Sequence, residues 1–314
     1  MKNILSSARL RAEMTEYLEK HFSDYEFRFI KAKEMTDKDR AWADIFITYG
    51  SDMKQEHMKA FKNLKWVMVM SAGLDDMPLE AMKDVHITNA RGIHKIQMTE
   101  YTIGLLLAYF KDLYQLKRNQ EARYWHPKAL TEEIYDKTVH ILGTGSIGSH
   151  LAGALKALGL ETGGYNTRGR DAENFDKTYP IDRLFDHVEA ADILINVLPS
   201  TEHTRGLLTE GIFKEMKDES VFVNIGRGDV ITDDTVRRVL DNAHIRHMIL
   251  DVFNEEPLPE DHIFYSYDNL TITPHASSKT KAYLTRAFDI FIYNLERADD
   301  FDAMKNIIDH DRGY

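Results

Sequence analysis

Val139–His150 reads VHILGTGSIGSH, and the reading of this stretch decides the fold. An apolar strand (Val139, Ile141, Leu142) runs into Gly143-Thr144-Gly145-Ser146-Ile147-Gly148 and then into the helically spaced Leu151, Ala154, Leu155 and Leu158. Gly143 permits the tight turn, Gly145 lets the backbone approach a pyrophosphate, and Gly148 lets the helix pack closely on the strand. An anion bound there faces the unpaired N–H groups at the helix N-terminus and the positive end of the helix dipole. A second strand follows about twenty residues on, so strand, glycines, helix and strand come in the order of a dinucleotide-binding unit.

Downstream, strand patterns recur over 139–142, 161–165, 191–198, 220–225, 246–253 and 270–273, and helical stretches (149–158, 182–190, 210–216, 233–242) separate most of them. A doubly wound parallel sheet requires this alternation. Upstream, strands are expected over 26–30, 44–49, 64–70 and 86–89, with helical patterns near 8–21, 52–61 and 79–83. That is a second parallel sheet, complete before the fingerprint begins. Residues 97–120 carry apolar residues at helical spacing and predict one long helix. Glu121–Lys137 is polar, aromatic-studded and aperiodic, an arm suited to reaching a second subunit. The last forty residues or so are mainly one amphipathic helix, 280–297, which completes no domain alone and is expected to fold back onto the first sheet. No internal repeat is present.

Composition bounds the function. The chain has 314 residues, 40 basic against 51 acidic, for a net charge of −11. Such a balance argues against nucleic acid or an anionic membrane as partner. Cysteine is absent, which removes disulfides, a thiolate nucleophile and cysteine-ligated metal. No apolar run approaches the length of a membrane span and the N-terminus lacks a signal-peptide core, so a soluble cytoplasmic protein is expected. His244 and His247 stand three apart without a following glutamate, so no metal site is expected. GTGSIG is not the elbow of a serine hydrolase.

The second strand of the fingerprint ends in Tyr165-Asn166-Thr167-Arg168-Gly169-Arg170. Enzymes using NAD usually place an acid there for the ribose hydroxyls, whereas a 2′-phosphate calls for cations. The acid is missing, Asn166 can still bond a ribose, and Arg168 presents a planar fork suited to phosphate. NADP(H) is therefore the expected cofactor, with NAD(H) as the alternative.

Three later strands run into polar residues: 220–225 into Gly226-Arg227-Gly228, 246–253 (with Asp251) into Asn254-Glu255-Glu256-Pro257, and 270–273 into Pro274-His275. In an open parallel sheet, ligands bind outside the carboxyl ends of the strands. Arginine, carboxylate and histidine are thus expected to converge at that edge.

GTGSIG, Leu198-Pro199 with Thr204, VNIGRGDVI (223–231), DVFNEEPLP (251–259), TPH (273–275), SAGLDD (71–76) and NLER…GY at the C-terminus together resemble the signature series of the D-isomer-specific 2-hydroxyacid dehydrogenases. The resemblance spans nearly the whole chain. It implies a Rossmann-type doubly wound domain over 98–279 that binds the dinucleotide, and a smaller flavodoxin-like α/β substrate domain formed from both chain ends, 1–97 and 280–314. It also implies a homodimer made mainly through the dinucleotide-binding domains. Carried over, it gives Arg227 the grip on the substrate's carboxylate and carbonyl oxygen, His275 the role of general acid and base, and Glu256 that of its partner. The backbone N–H groups of Ala72 and Gly73 become a second carboxylate clamp. Cofactor contacts are expected from Gly143, Gly145, Ser146, Ile147, Gly148, Asn166, Thr167, Arg168, Leu198, Pro199, Thr204, Ile225, Gly226, Arg227, Asp251, His275 and Ser277, with Asp251 orienting the carboxamide. A guanidinium stabilises charge developing on a carbonyl oxygen, and an imidazole delivers the proton. The neutral Asn166 matches NADP-using glyoxylate and hydroxypyruvate reductases, so a small 2-oxo acid is the expected substrate. Tyr49, His94 and Trp125 are candidates for lining its pocket. Two rivals stand beside this reading: an NAD-dependent D-lactate-type dehydrogenase, and a nucleotide-sensing, corepressor-like binding protein on the same scaffold.

Overall fold

The structure, a computed structural model, describes residues 2–74 and 77–310. Asp75 and Asp76 of SAGLDD and the terminal Gly313-Tyr314 lie outside the described residues. The chain divides into two compact units, one made of residues 1–93 and 280–314, the other of residues 94–279.

The first unit holds a five-stranded parallel sheet, built from β1 (Lys2–Ser6), β2 (Tyr25–Phe29), β3 (Ile45–Thr48), β4 (Trp66–Val69) and β5 (His86–Asn89). Between β1 and β2 lies α1 (Ala12–His21), and between β2 and β3 lies α2 (Asp37–Trp42). The strand order is β2-β1-β3-β4-β5, the doubly wound order of flavodoxin-like folds. Alternation along the strands feeds two cores. Ile4, Ile45, Ile47, Trp66 and Met68 point to one face, while Leu5, Phe46, Val67, Val69 and Ile87 point to the other. The C-terminal helix Tyr283–Leu295 covers the first face with Ala287, Phe288, Phe291 and Leu295, and Phe291 stacks on Trp66 at 5.7 Å between ring centroids. An antiparallel bridge from Ile307 to Thr88 ties the tail to β5.

The second unit opens with α3 (Lys95–Phe110) and α4 (Leu113–Glu121). The expected single helix over 97–120 is thus two. Asp112 takes a left-handed φ of 51° and breaks it, a conformation that aspartate tolerates better than most residues. Beyond the arm come β6 (Thr138–Leu142), α5 (Ser146–Ala157), β7 (Glu161–Asn166), β8 (Lys177–Pro180), α6 (Leu184–His187), β9 (Ile193–Asn196), α7 (Glu210–Glu215), β10 (Val221–Asn224), α8 (Asp233–Asp241), β11 (His247–Leu250) and β12 (Leu270–Ile272). They form a seven-stranded parallel sheet in the order β12-β11-β10-β9-β6-β7-β8. The order reverses between β6 and β9, the switch point where such sheets open a ligand crevice. Both faces are covered here too: Ile193, Ile195, Val221, Val223 and Ile249 face α3 and α5, and Leu194, Phe222, Met248 and Leu250 face α7 and α8. Each four-residue strand β9, β10 and β11 is buried throughout, so the polar residues that end β9 and β10 need internal partners.

Candidate active site

The glycine loop forms as the fingerprint demands. Gly143 has φ +105°, which a side chain would strain, and a Cβ on Gly148 would stand 1.9 Å from the Gly143 carbonyl oxygen. A Cβ on Gly145 would meet nothing within 4 Å, so here the glycine keeps an approach open rather than relieving a clash. Gly145 is also the N-cap of α5 and supplies no side-chain cap. The N–H groups of Ser146, Ile147 and Gly148 donate to no acceptor among the described residues. An open cradle with unspent donors at a helix N-terminus fits a dinucleotide pyrophosphate.

At the end of β7, Asn166 organises the next loop. Its Oδ1 accepts from the N–H groups of Arg168 (3.2 Å) and Arg170 (3.0 Å), and its Nδ2 donates to the Arg170 carbonyl (2.8 Å) and to Thr144 Oγ1 (3.2 Å). Thr167, Arg168 and Arg170 stand exposed, and neither arginine makes an ion pair among the described residues. Across the switch point, Thr204 closes the loop that carries Leu198 and Pro199: its hydroxyl donates to the Pro199 carbonyl (2.7 Å) and accepts from the Thr201 N–H (2.8 Å).

The three late strands do converge. His275 Nδ1 lies 2.7 Å from Glu256 Oε2, and the second carboxylate oxygen of Glu256 accepts from the Phe253 N–H at 3.0 Å. Their side chains are 43% and 34% exposed, so the pair can meet a bound molecule. A cavity of about 270 Å³ is lined by Ser200, Arg227, Asp229, Phe253, Glu256 and His275. A second, of about 630 Å³, shares Phe253, Glu256 and His275 and is otherwise largely apolar, with Pro257, Leu258, Tyr265 and Ile272. Arg227 is exposed, and its guanidinium donates to the Gly226 carbonyl at 3.0 Å.

His275 has φ +48°, unusual for a residue with a Cβ. Asp251 holds it there. One carboxylate oxygen accepts from Thr273 Oγ1 (2.5 Å) and the Ala276 N–H (2.9 Å), the other from the Ser277 N–H (2.9 Å), and the His275 N–H donates to the Asp251 carbonyl (2.8 Å). Ile225, Asp251 and Ser277, expected as cofactor contacts, are buried. Ile225 follows β10 and Asp251 follows β11 directly, while Ser277 lies beyond the end of β12. Trp125 stands in the arm before β6. It is 87% exposed and lines a different cavity with Leu116, Tyr124 and His126. His94 stands at the N-terminus of α3.

In the first unit, Asn89 Nδ2 donates to the Ala72 carbonyl (2.6 Å) and Ser71 Oγ to the Gly73 carbonyl (3.0 Å). The N–H groups of Ala72 and Gly73 donate to nothing among the described residues. Tyr49 follows β3, and burial raises its phenol above the ordinary value.

Sequence reasoning missed Asn196, Asn224, Ser200 and Asp229. Asn196 and Asn224 end adjacent strands, fully buried and in register. A polar residue at the same place in two apolar runs is the signal that could have found them. Ser200 Oγ donates to Asp229 (2.5 Å), as does Arg205 Nε (3.2 Å). Among the described residues no group of three His, Asp or Glu is placed to hold a metal, and no helix is long and apolar enough to cross a membrane.

Comparison with known proteins places this geometry. Residues 103–277 match the family described as D-isomer specific 2-hydroxyacid dehydrogenase, NAD binding domain. A glyoxylate/hydroxypyruvate reductase A of Photorhabdus laumondii is 32% identical over 70% of this chain and 69% of its own length. A glyoxylate reductase of Aeropyrum pernix is 32% identical over 82% of this chain and 78% of its own. A crystal structure of a family protein from Aeromonas salmonicida superposes with a TM-score of 0.87 at 29% identity, covering 98% of this chain and 99% of that one. With its Rossmann-type sheet, its glycine cradle and these relatives, the chain belongs to the D-isomer specific 2-hydroxyacid dehydrogenase family.

Proposed function

We propose that the protein reduces a small 2-oxo acid to the D-2-hydroxy acid with NADPH, His275 acting as the proton donor. The observation that carries the reading is the His275–Glu256 pair, 2.7 Å apart, in the same cavity as Arg227. Relatives named glyoxylate and glyoxylate/hydroxypyruvate reductases support a small acid.

When bound, the reduced nicotinamide supplies the hydride. The chain's own residues do the rest. The Arg227 guanidinium binds the carboxylate and neighbouring carbonyl oxygen and offsets the charge that grows on that oxygen. His275 delivers a proton to it from Nε2, while Glu256 at Nδ1 holds the ring in the orientation for transfer. Asp251 acts through the His275 loop. In the first unit, the N–H groups of Ala72 and Gly73, which donate to nothing among the described residues, suit a carboxylate. Gly143, Gly145 and Gly148 with the N–H groups of Ser146 and Ile147 would hold the pyrophosphate, and Leu198, Pro199, Thr204 and Gly226 would border the nicotinamide end. Arg168, exposed and in no ion pair among the described residues, supports a 2′-phosphate beside Asn166, hence NADPH over NADH. The arm Glu121–Lys137 exposes Trp125 and Leu130, at 87% and 93%, which supports a homodimer through this unit and is checked by light scattering on a sizing column.

The test is loss of reduced-nicotinamide absorbance with NADPH or NADH and glyoxylate, hydroxypyruvate, pyruvate and bulkier 2-oxo acids. Turnover of a small acid, faster with NADPH, is expected. An NADH preference of about tenfold or more would move the cofactor assignment to NAD. Nucleotide binding without turnover of any acid would transfer the function to a nucleotide-sensing protein on the same scaffold.

A further inference from the structure

We propose that Asn196 and Asn224, a buried amide pair at the ends of β9 and β10, are positioning residues that lock the Leu198 loop and the Arg227 loop into one unit. The proposal rests on the reading of Arg227 as the substrate grip.

Both asparagines are fully buried, and they face each other across the register of the two strands. Asn196 Nδ2 donates to Asn224 Oδ1 at 2.9 Å. Asn224 then brackets the turn beyond its own strand: Oδ1 also accepts from the Gly226 N–H (3.1 Å), and Nδ2 donates to the Arg227 carbonyl (3.0 Å). Asn196 does the same on its side, accepting from the Leu198 N–H at 3.1 Å. One amide contact therefore joins the backbone of the loop that carries Leu198 and Pro199 to the backbone that aims Arg227. The packing leaves no slack, since a Cβ on Gly226 would stand 2.7 Å from both Asn196 Nδ2 and the Leu198 carbonyl oxygen.

Nothing about a buried parallel strand calls for amides at these positions. The preceding residues of β9 and β10 are Ile and Val, and an apolar side chain carries no polar group to satisfy. Burying two amides is tolerable because each is bonded, and removing one strands its partner without water to replace it. The Asn196 side chain packs against Gly226 but makes no hydrogen bond to Gly226 or Arg227. Its hydrogen-bonded route to Arg227 runs through Asn224, which makes it the discriminating position.

The experiment uses the full chain. In Asn196→Ala, amide exchange followed by mass spectrometry or NMR in the absence of substrate is expected to quicken about tenfold at Gly226 as well as at Leu198, because Asn224 is released. Acceleration confined to Leu198 would overturn the proposal. Should Asn196→Ala fold poorly, Asn196→Asp keeps the acceptor for Leu198 and removes the donor to Asn224, and it is expected to quicken exchange at Gly226 alone. In steady-state kinetics Asn196→Ala is expected to raise KM for the 2-oxo acid about tenfold with kcat within about twofold. In an Arg227→Ala background it is expected to add less than about twofold. A full multiplicative loss there means that Asn196 acts elsewhere and overturns the lock. If the wild type reduces no 2-oxo acid, the reading of Arg227 falls, and the exchange measurement still decides whether the two loops are coupled.

Discussion

His140 and His275 belong to the same seven-stranded sheet and live in opposite surroundings. His140 sits inside β6, buried, with Nδ1 3.1 Å from the Tyr165 hydroxyl. Burial, reinforced by His187, pushes it down to about 4, so it stays uncharged at neutral pH. His275 stands beyond the end of β12, half exposed, on a carboxylate. One ring is packed as an uncharged aromatic and the other stands partly exposed against a carboxylate. The difference lies in where the chain places each ring, in mid-strand under helices or past a strand end at the crevice, and it separates structure from proposed chemistry within one residue type.

The comparison breaks most visibly if the two roles are exchanged. His275→Ala is expected to lower kcat about 100- to 10,000-fold, whereas His140→Gln leaves kcat near the wild-type value; initial rates with a saturating 2-oxo acid distinguish them, and similar losses in both variants would erase the contrast. The buried histidine should instead appear in acid stability. Above about pH 6.5 both folded and unfolded chains hold it neutral; as pH falls toward 4 the unfolded chain takes a proton that the folded one refuses. Its share of stability is therefore present above pH 6.5 and drains away by pH 4, a loss of about 3 kcal/mol when complete. Urea unfolding at stepped pH is expected to show His140→Gln losing less over that window, and parallel curves would contradict the assignment. His247, also buried and pushed down to about 4, adds a second such loss.

Arg227→Ala is expected to raise KM for the 2-oxo acid about ten- to a hundredfold, the scale of lost charge-assisted hydrogen bonds, and a kcat effect with unchanged KM would move Arg227 out of the binding role. The smallest effect falls at the other end of the crevice. Arg168→Ala is expected to cut the preference for NADPH over NADH about tenfold, measured as the ratio of kcat/KM values; an unchanged ratio would leave Arg168 a plain surface charge.

Most strands of the two sheets were legible as short apolar runs between glycine, proline and charge, but β1 (Lys2–Ser6) was not read, since Ile4 and Leu5 are its only apolar residues. GTGSIG announced its own turn, and the strand ends bearing Arg227, Glu256 and His275 converged as parallel topology demands. Where the pattern weakens, elements were lost. β8, Lys177–Pro180, is an edge strand with partly exposed residues and a terminal proline, and its pairing with β7 leaves no apolar alternation to read. The break at Asp112 turns on one φ angle inside a helical run. The Asn196–Asn224 contact and the grip of Asp251 on the His275 loop depend on register between distant strands, which local spacing does not encode.

The most direct test of the central claim, that His275 and Glu256 act as one unit, is a double-mutant cycle on the reduction rate with Glu256→Gln, which retains an acceptor for the Phe253 N–H, and His275→Ala. The account predicts that Glu256→Gln lowers kcat in the wild type and costs nothing further once His275 is gone. Losses that multiply in the double variant would show that the two groups work independently and would contradict it.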